Sequence, residues 1–209
     1  MIRHHPGEEL LLDYASGAAD EGLALIVATH LCFCPDCRRT VALAEAAGGA
    51  LLQETAPLAD GALDAMLARL DDAAPLPPAP ILQDGTPSPL WPYLKDGLAA
   101  VRWRGLGAGL AFANLFRHGR TRVRLLRGAP GSDTGAHGHH GLEYTLVLAG
   151  GFSDETGTYG PGDLQVATPD TVHNPKADPG EPCINLSVTT APLRFTGIIP
   201  RLAGKLFGF

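Results

Sequence analysis

Two groups of residues in this chain have the types and the spacing of metal ligands. The first lies in THLCFCPDC, where His30, Cys34 and Cys37 stand as His-x3-Cys-x2-Cys. Two cysteines three apart at the start of a helix can turn both sulfurs to one point, and the free N–H groups there favour thiolates. His30 would close the preceding helix and face them across the turn. A tetrahedral Zn²⁺ then lacks one ligand. The His-His pair upstream can supply it, through His5 or through His4. Cys32 is expected on another helix face, in the core. A redox role for the CxxC is disfavoured because no βαβ pattern surrounds it. An ion held here would tie the first helix to the corner between the second and third, a useful staple for a small helical domain.

The second group is His137-x-His139-x3-Glu143, with His173 following in DTVHNP. Alternate residues on a strand share a face, so His137 and His139 project together, and Glu143 keeps their parity. Three imidazoles and a carboxylate converging inside a barrel would hold a divalent ion such as Zn²⁺, Fe²⁺, Mn²⁺ or Ni²⁺. His140 points the other way and is assigned to the surface, and His118 to a turn.

The elements that must position these groups change character along the chain. Residues 1–74 read as about four helices: one from Pro6 to Gly17, one over Glu21–Leu31, one from Pro35 to Gly48-Gly49, and one over Asp60–Asp72, with Leu63, Met66, Leu67 and Leu70 at helical spacing. Residues 75–92 are rich in proline, which fixes φ and removes a donor, and read as an extended linker. Residues 93–198 read as short strands between Gly/Pro turns, the pattern of an antiparallel β-barrel or jelly roll. The tail, 199–209, is apolar with two basic residues. The fold class is therefore α+β in two domains.

With 45% hydrophobic and 18% charged residues, the chain has the material for a packed core. No apolar run approaches the roughly 18 residues of a membrane span, and the start has no signal-peptide core, so a cytoplasmic protein with reduced thiols is expected. The net charge of −6 is uneven: residues 1–75 hold 4 basic against 12 acidic side chains, or −8, and the remainder hold 12 against 10, or +2. An acidic helical half repels nucleic-acid phosphates and suits a basic protein partner.

These residues also carry a family resemblance. GSDTGAHGHHGLEYTLVLAG resembles the first cupin motif at its spaced positions, and Pro161-Gly162-Asp163 with His173 resembles the second. The His…HxxxCxxC arrangement resembles the zinc-binding anti-sigma motif. Together in one chain, from IRHH to APLRF, they resemble the ChrR-type zinc-binding anti-sigma factors. The resemblance implies that His5, His30, Cys34 and Cys37 hold Zn²⁺. It implies that His137, His139, Glu143 and His173 hold the cupin metal, with Zn²⁺ the first candidate. It implies a partner, an extracytoplasmic-function (ECF) sigma factor bound by the helical domain, and release of that partner through the cupin domain in response to singlet oxygen or related oxidants. It implies no catalytic residue, no direct nucleic-acid contact and no membrane. The alternative is a cupin metalloenzyme, a dioxygenase or isomerase, with a zinc-stabilised helical appendage.

Overall fold

Acidic residues at helix starts and a glycine stop shape the N-terminal part. In the computed structural model, which describes residues 2–53, 55, 59–70, 82–83, 85–94 and 96–195, it forms α1 (Glu8–Ser16), α2 (Glu21–Leu31), α3 (Pro35–Leu52) and α4 (Ala62–Leu67). Gly17 ends α1 with φ at 75°, a conformation that glycine adopts without strain. Asp20 caps α2: one carboxylate oxygen accepts from the Leu23 amide at 2.9 Å and the other from the Thr121 hydroxyl at 2.8 Å, which ties the helix start to the barrel. The side chain of Cys34 caps α3, and Pro35 fills its first turn.

Two helix boundaries differ from expectation. α3 runs through Gly48-Gly49 to Leu52. Neither glycine has a neighbour to pack against, and the roughly 1 kcal/mol each costs a helix interior is not enough to stop it. α4 is shorter than the expected span to Asp72; Leu63, Met66, Leu67 and Leu70 are all exposed, and residues 71–72 lie outside the described residues.

The strands are β1 (Leu82–Gln83), β2 (Thr86–Pro87), β3 (Arg104–Gly107), β4 (Leu110–His118), β5 (Thr121–Gly128), β6 (His137–His139), β7 (Glu143–Ala149), β8 (Phe152–Asp154), β9 (Gly157–Tyr159), β10 (Leu164–Ala167), β11 (Val172–His173), β12 (Lys176–Ala177), β13 (Cys183–Thr189) and β14 (Leu193–Phe195). Apart from the β1–β2 hairpin they form three sheets, ordered β10-β7-β13-β5-β4-β3, β11-β6-β14 and β12-β8-β9. All pairings among the described residues are antiparallel. This is the expected antiparallel cupin-like barrel behind a helical N-terminal part.

Strand β7 is buried on both faces, which explains its largely apolar sequence. Glu143, Thr145 and Val147 alternate with Tyr144, Leu146 and Leu148, and the strand is buried along nearly all its length. The second set joins the core that also contains Leu25, Ile26 and Leu31 of α2. α2 therefore lies on the six-stranded sheet. Gly22 permits the approach, because a Cβ there would come within 2.8 Å of a Thr121 methyl.

The proline-rich stretch ends in the same core. Residues 75–81 and 84 lie outside the described residues. Ser88–Leu90 form a 3-10 turn against α2, and Leu90 is fully buried. That part is a packed strap rather than a free spacer. The tail, 199–209, lies outside the described residues.

Candidate metal centres

The α2–α3 corner brings His5, His30, Cys34 and Cys37 together, with one candidate donor atom from each lying within 4.8 Å of the rest. His30 is buried in the last turn of α2, and its Nδ1 faces the Gly162 carbonyl at 2.8 Å. A carbonyl only accepts, so Nδ1 carries the proton and Nε2, 3.3 Å from Cys37 Sγ, is a bare donor of electrons. His5 Nδ1 lies 3.4 Å from Cys34 Sγ and 3.4 Å from Cys37 Sγ. Donors around a tetrahedral zinc sit roughly 3.5 Å apart, given bonds of about 2.0 Å to nitrogen and 2.3 Å to sulfur. The donor set and spacing fit that ion.

The structure decides between the two neighbouring histidines. His5 enters the cluster, while the His4 ring lies against Tyr159 with centroids 4.4 Å apart. Cys32 is half-buried, and its sulfur turns toward the Ala28 carbonyl. Burial first, and then the neighbouring Cys34, push the Cys37 thiol up to about 12. Burial pulls His30 down to about 4 against the opposing pull of the Gly162 carbonyl. Without an ion, then, the cluster holds a neutral imidazole and a protonated thiol.

Inside the barrel, His137, His139, Glu143 and His173 converge and are all buried. Register places them: His173 on β11 pairs directly with His137 on β6, and His139 pairs with Leu193 of β14. Glu143 opens β7 in the facing sheet and accepts from the Ser187 hydroxyl at 3.0 Å. His137 Nδ1 donates to the Gly135 carbonyl at 2.9 Å, and His173 Nδ1 donates to Asp154 at 2.7 Å. Their Nε2 atoms are thereby left as acceptors, yet they lie 3.2 Å apart, and His139 Nε2 is 3.1 Å from that of His173. Ring nitrogens this close are held together by a shared proton or by an ion, and His137 Nε2 also faces Glu143 Oε2 at 3.9 Å. His139 Nδ1 has no hydrogen bond, although Glu143 Oε2 is 3.4 Å away.

The titration of these groups carries the same signature. Burial opposes protonation of His137, but Glu143 and the Gly135 carbonyl outweigh it and its pKa is raised. Burial also opposes ionisation of Glu143, but His137 and His139 hold its pKa below the usual range. His139 is pulled down to about 4, mainly by burial. A proton on His137 does part of what an ion would do there. The cluster ends a largely apolar cavity of about 400 Å³ walled by Leu110, Leu126 and Phe152, so a bound ion would have a side open to small molecules. His140 is exposed, and exposed His118 lies 3.8 Å from Glu21.

Sequence reasoning missed the groups behind the clusters. Asp154, which orients His173, reads in FSDETG as an ordinary turn acid. The Gly162 carbonyl that orients His30 is backbone and has no sequence signature, although Gly162-Asp163 stood out as part of a motif.

A third feature is a run of exposed apolar side chains. Leu43, Leu51 and Leu52 on α3, with Leu63, Met66 and Leu67 on α4, are exposed, which is the composition of a surface that meets a partner. Among the described residues, no helix is long and apolar enough to cross a membrane.

Comparison with known proteins covers the whole chain. The family model of the ChrR cupin-like domain matches residues 97–192. The chain is 43% identical over 209 residues to the anti-sigma-E factor ChrR of Cereibacter sphaeroides, spanning 99% of this chain and 98% of that protein. It matches the crystal structure of Rhodobacter sphaeroides SigE in complex with the anti-sigma ChrR with a TM-score of 0.80 and 42% identity, over 90% of this chain and 100% of that one. KdgF from Halomonas sp. matches 44% of this chain and 91% of its own at 17% identity and a TM-score of 0.40, too slight to bear on function.

Proposed function

Because the chain belongs to the ChrR family of anti-sigma factors, we propose that it is a cytoplasmic, zinc-dependent anti-sigma factor. It binds and inhibits an ECF sigma factor through its helical part. It releases that factor under oxidative stress of the singlet-oxygen kind through the metal-binding cupin barrel, whose ion is also Zn²⁺. The observation that carries this reading is the full-length likeness to ChrR together with the convergence of His5, His30, Cys34 and Cys37 at the α2–α3 corner.

Zinc, when bound, supplies a cross-link and no chemistry on a substrate. The remaining work falls to the chain's own residues. His5 anchors the segment that enters α1, and His30, Cys34 and Cys37 fix the angle between α2 and α3. That geometry presents the exposed leucines of α3 to the partner, and α4 offers it further exposed apolar side chains. The −8 charge of residues 1–75 complements the basic DNA-binding regions of a sigma factor and speeds encounter. In the barrel, His137, Glu143 and His173 line a cavity through which a small oxidant can reach the site.

The test is co-expression with ECF sigma factors of the same organism, followed by pull-down and metal analysis. A roughly equimolar complex is expected from the wild type, and none from Cys34→Ser. Glu143→Ala and His173→Ala should keep sigma bound and blunt the stress response. Undiminished capture by the chelator-stripped chain would overturn the reading, as would barrel variants that lose sigma as completely as Cys34→Ser. The cavity beside the barrel cluster favours one second reading, a cupin dioxygenase or isomerase; O₂ uptake with Fe²⁺ and small diketones or thiols tests it.

A further inference from the structure

One stretch of the barrel, residues 154–164, holds members of both clusters. On the barrel side, His173 donates to Asp154 Oδ2 at 2.7 Å, and Asp154 Oδ1 accepts from the Thr156 hydroxyl at 2.6 Å. The Thr156 oxygen in turn accepts from the Tyr159 hydroxyl at 2.8 Å. The Tyr159 ring stacks on Phe152 at 4.8 Å and meets the His4 ring at 4.4 Å.

On the helical side, Asp163 is buried, and its Oδ1 accepts the backbone N–H groups of Arg3 and His4 at 2.7 and 2.9 Å. The Leu164 amide returns a bond to the His4 carbonyl at 3.0 Å. The two residues before His5 are thus pinned to the barrel. One position earlier in the turn, the Gly162 carbonyl takes the His30 Nδ1 proton at 2.8 Å. Two of the four members of the His/Cys cluster therefore take their orientation from the barrel.

We infer that residues 154–164 couple the two clusters, with Tyr159 and Asp163 as positioning residues, so that an ion in the barrel tightens the hold of the His/Cys cluster on its own ion and the reverse. This rests on the reading that both clusters hold metal. The physical cause is differential order. An ion held by His137, His139, Glu143 and His173 would fix the His173 ring, and through it the hydrogen bonds that run by Asp154 and Thr156 to the Tyr159 hydroxyl. Without the ion, the ring of His173 keeps the Asp154 bond at Nδ1 but loses its anchor at Nε2 and is freer to turn. A difference in order at one site that changes contacts at the other is a coupling free energy, and its effect on the two affinities is equal. Couplings of this kind run from about 5-fold to 150-fold, and tenfold is expected here.

Cobalt separates the two sites in the full-length chain. Thiolate-to-cobalt charge transfer in the near ultraviolet reports only the Cys34/Cys37 site, because the barrel cluster contains no sulfur. His137→Gln combined with Glu143→Gln empties the barrel, as a drop from two bound equivalents to one would verify. The cobalt dissociation constant of the thiolate site should then rise about tenfold. Tyr159→Phe keeps all eight cluster residues and the ring on His4 but drops the hydroxyl link; in that background, emptying the barrel should change the constant less than twofold. Asp163→Asn should weaken the thiolate site about tenfold with the barrel filled. Unchanged thiolate-site affinity in the barrel-emptied protein overturns the proposal. If that protein does not fold, Tyr159→Phe alone decides: about fivefold weaker cobalt binding with the barrel filled supports the link, and wild-type affinity refutes it. Absence of the thiolate band from the wild type overturns the metal reading itself, and the coupling with it.

Discussion

Gly162 sits where the helical corner meets the barrel, and replacing it with alanine tests that contact directly. Its φ is +88°, in the region that costs an L-residue about 1–2 kcal/mol. A Cβ there would lie 2.7 Å from Phe33 Cβ and would overlap the end of Ile2. Phe33 Cβ is the root of its side chain, so relief requires movement of the α2–α3 corner rather than of a flexible tip. Overpacking of this kind costs about 1–3 kcal/mol. Gly162→Ala should therefore destabilise the protein by about 2–5 kcal/mol, which lowers Tm by about 4–20 °C in a chain of this size. Gly160, in the same turn, is the control. It lacks a positive φ, and its nearest atom would be Asp163 Oδ2 at 3.9 Å, so Gly160→Ala should stay within about 0.5 kcal/mol of wild type. Urea unfolding measures the difference. Hydrogen exchange at the Leu164 amide, bonded to the His4 carbonyl, reports whether the N-terminal segment has come away. If the two variants are equally stable, the close docking of Ile2 and Phe33 on this turn is refuted.

Zinc affinity should rise with pH. The Cys37 thiol stays protonated to about 12 without metal, so loading displaces that proton, and chelator competition between pH 6.5 and 8.5 should show at least about tenfold tighter binding per unit; a flat profile contradicts thiolate ligation. The metal-free protein should lose stability in acid. His30 and His139 are depressed to about 4, whereas the unfolded chain takes up those protons near 6.5, so stability is full above 6.5 and falls toward 4 by about 1.4 kcal/mol per pH unit for each histidine. Chelator-treated protein unfolded in urea at pH 7, 6 and 5 checks the slope. Leu51 and Leu67 are 70% and 52% exposed, so Leu51→Asp and Leu67→Asp should shift stability by less than about 0.5 kcal/mol yet reduce sigma capture at least tenfold. Full capture by both would move the partner surface elsewhere. Gly48→Ala and Gly49→Ala meet nothing within 4 Å and should each stabilise α3 by about 1 kcal/mol in thermal melts.

The ligand-type residues were legible because their chemistry leaves few alternatives. His137 and His139 follow strand alternation and share a face; Cys34 and Cys37 straddle a helix start that Pro35 marks. The His4/His5 choice was not legible, because both precede α1 and only the pinning of residues 3–4 by Asp163 decides which ring turns to the sulfurs. Strands β8, β9, β11 and β12 were invisible for a different reason. At two or three residues each they are too short to show a period, and they exist because the barrel closes around them. Gly48-Gly49 misled because glycine permits a left-handed stop without enforcing one, and α3 stays helical through both.

The two halves share one buried core. A helical unit of about 50 residues has little interior of its own, and α2 finds its apolar partners on the barrel: Leu25, Ile26 and Leu31 share one buried cluster with Val123, Leu146 and Val188. Leu90 of the expected linker seals the same cluster. Detaching α2 would expose at least four buried aliphatic side chains, Leu25, Ile26, Val27 and Leu31, at about 1.5–3 kcal/mol each. In contrast, α3 buries only Cys37 and Val41, and α4 buries nothing. A change that frees α3 and α4 at the α2–α3 corner exposes far fewer buried apolar side chains than one that separates the halves. On the proposed function, the route to sigma release that exposes the least apolar surface keeps α2 on the barrel and acts at the α2–α3 corner, where the barrel turn 160–163 already touches the cluster.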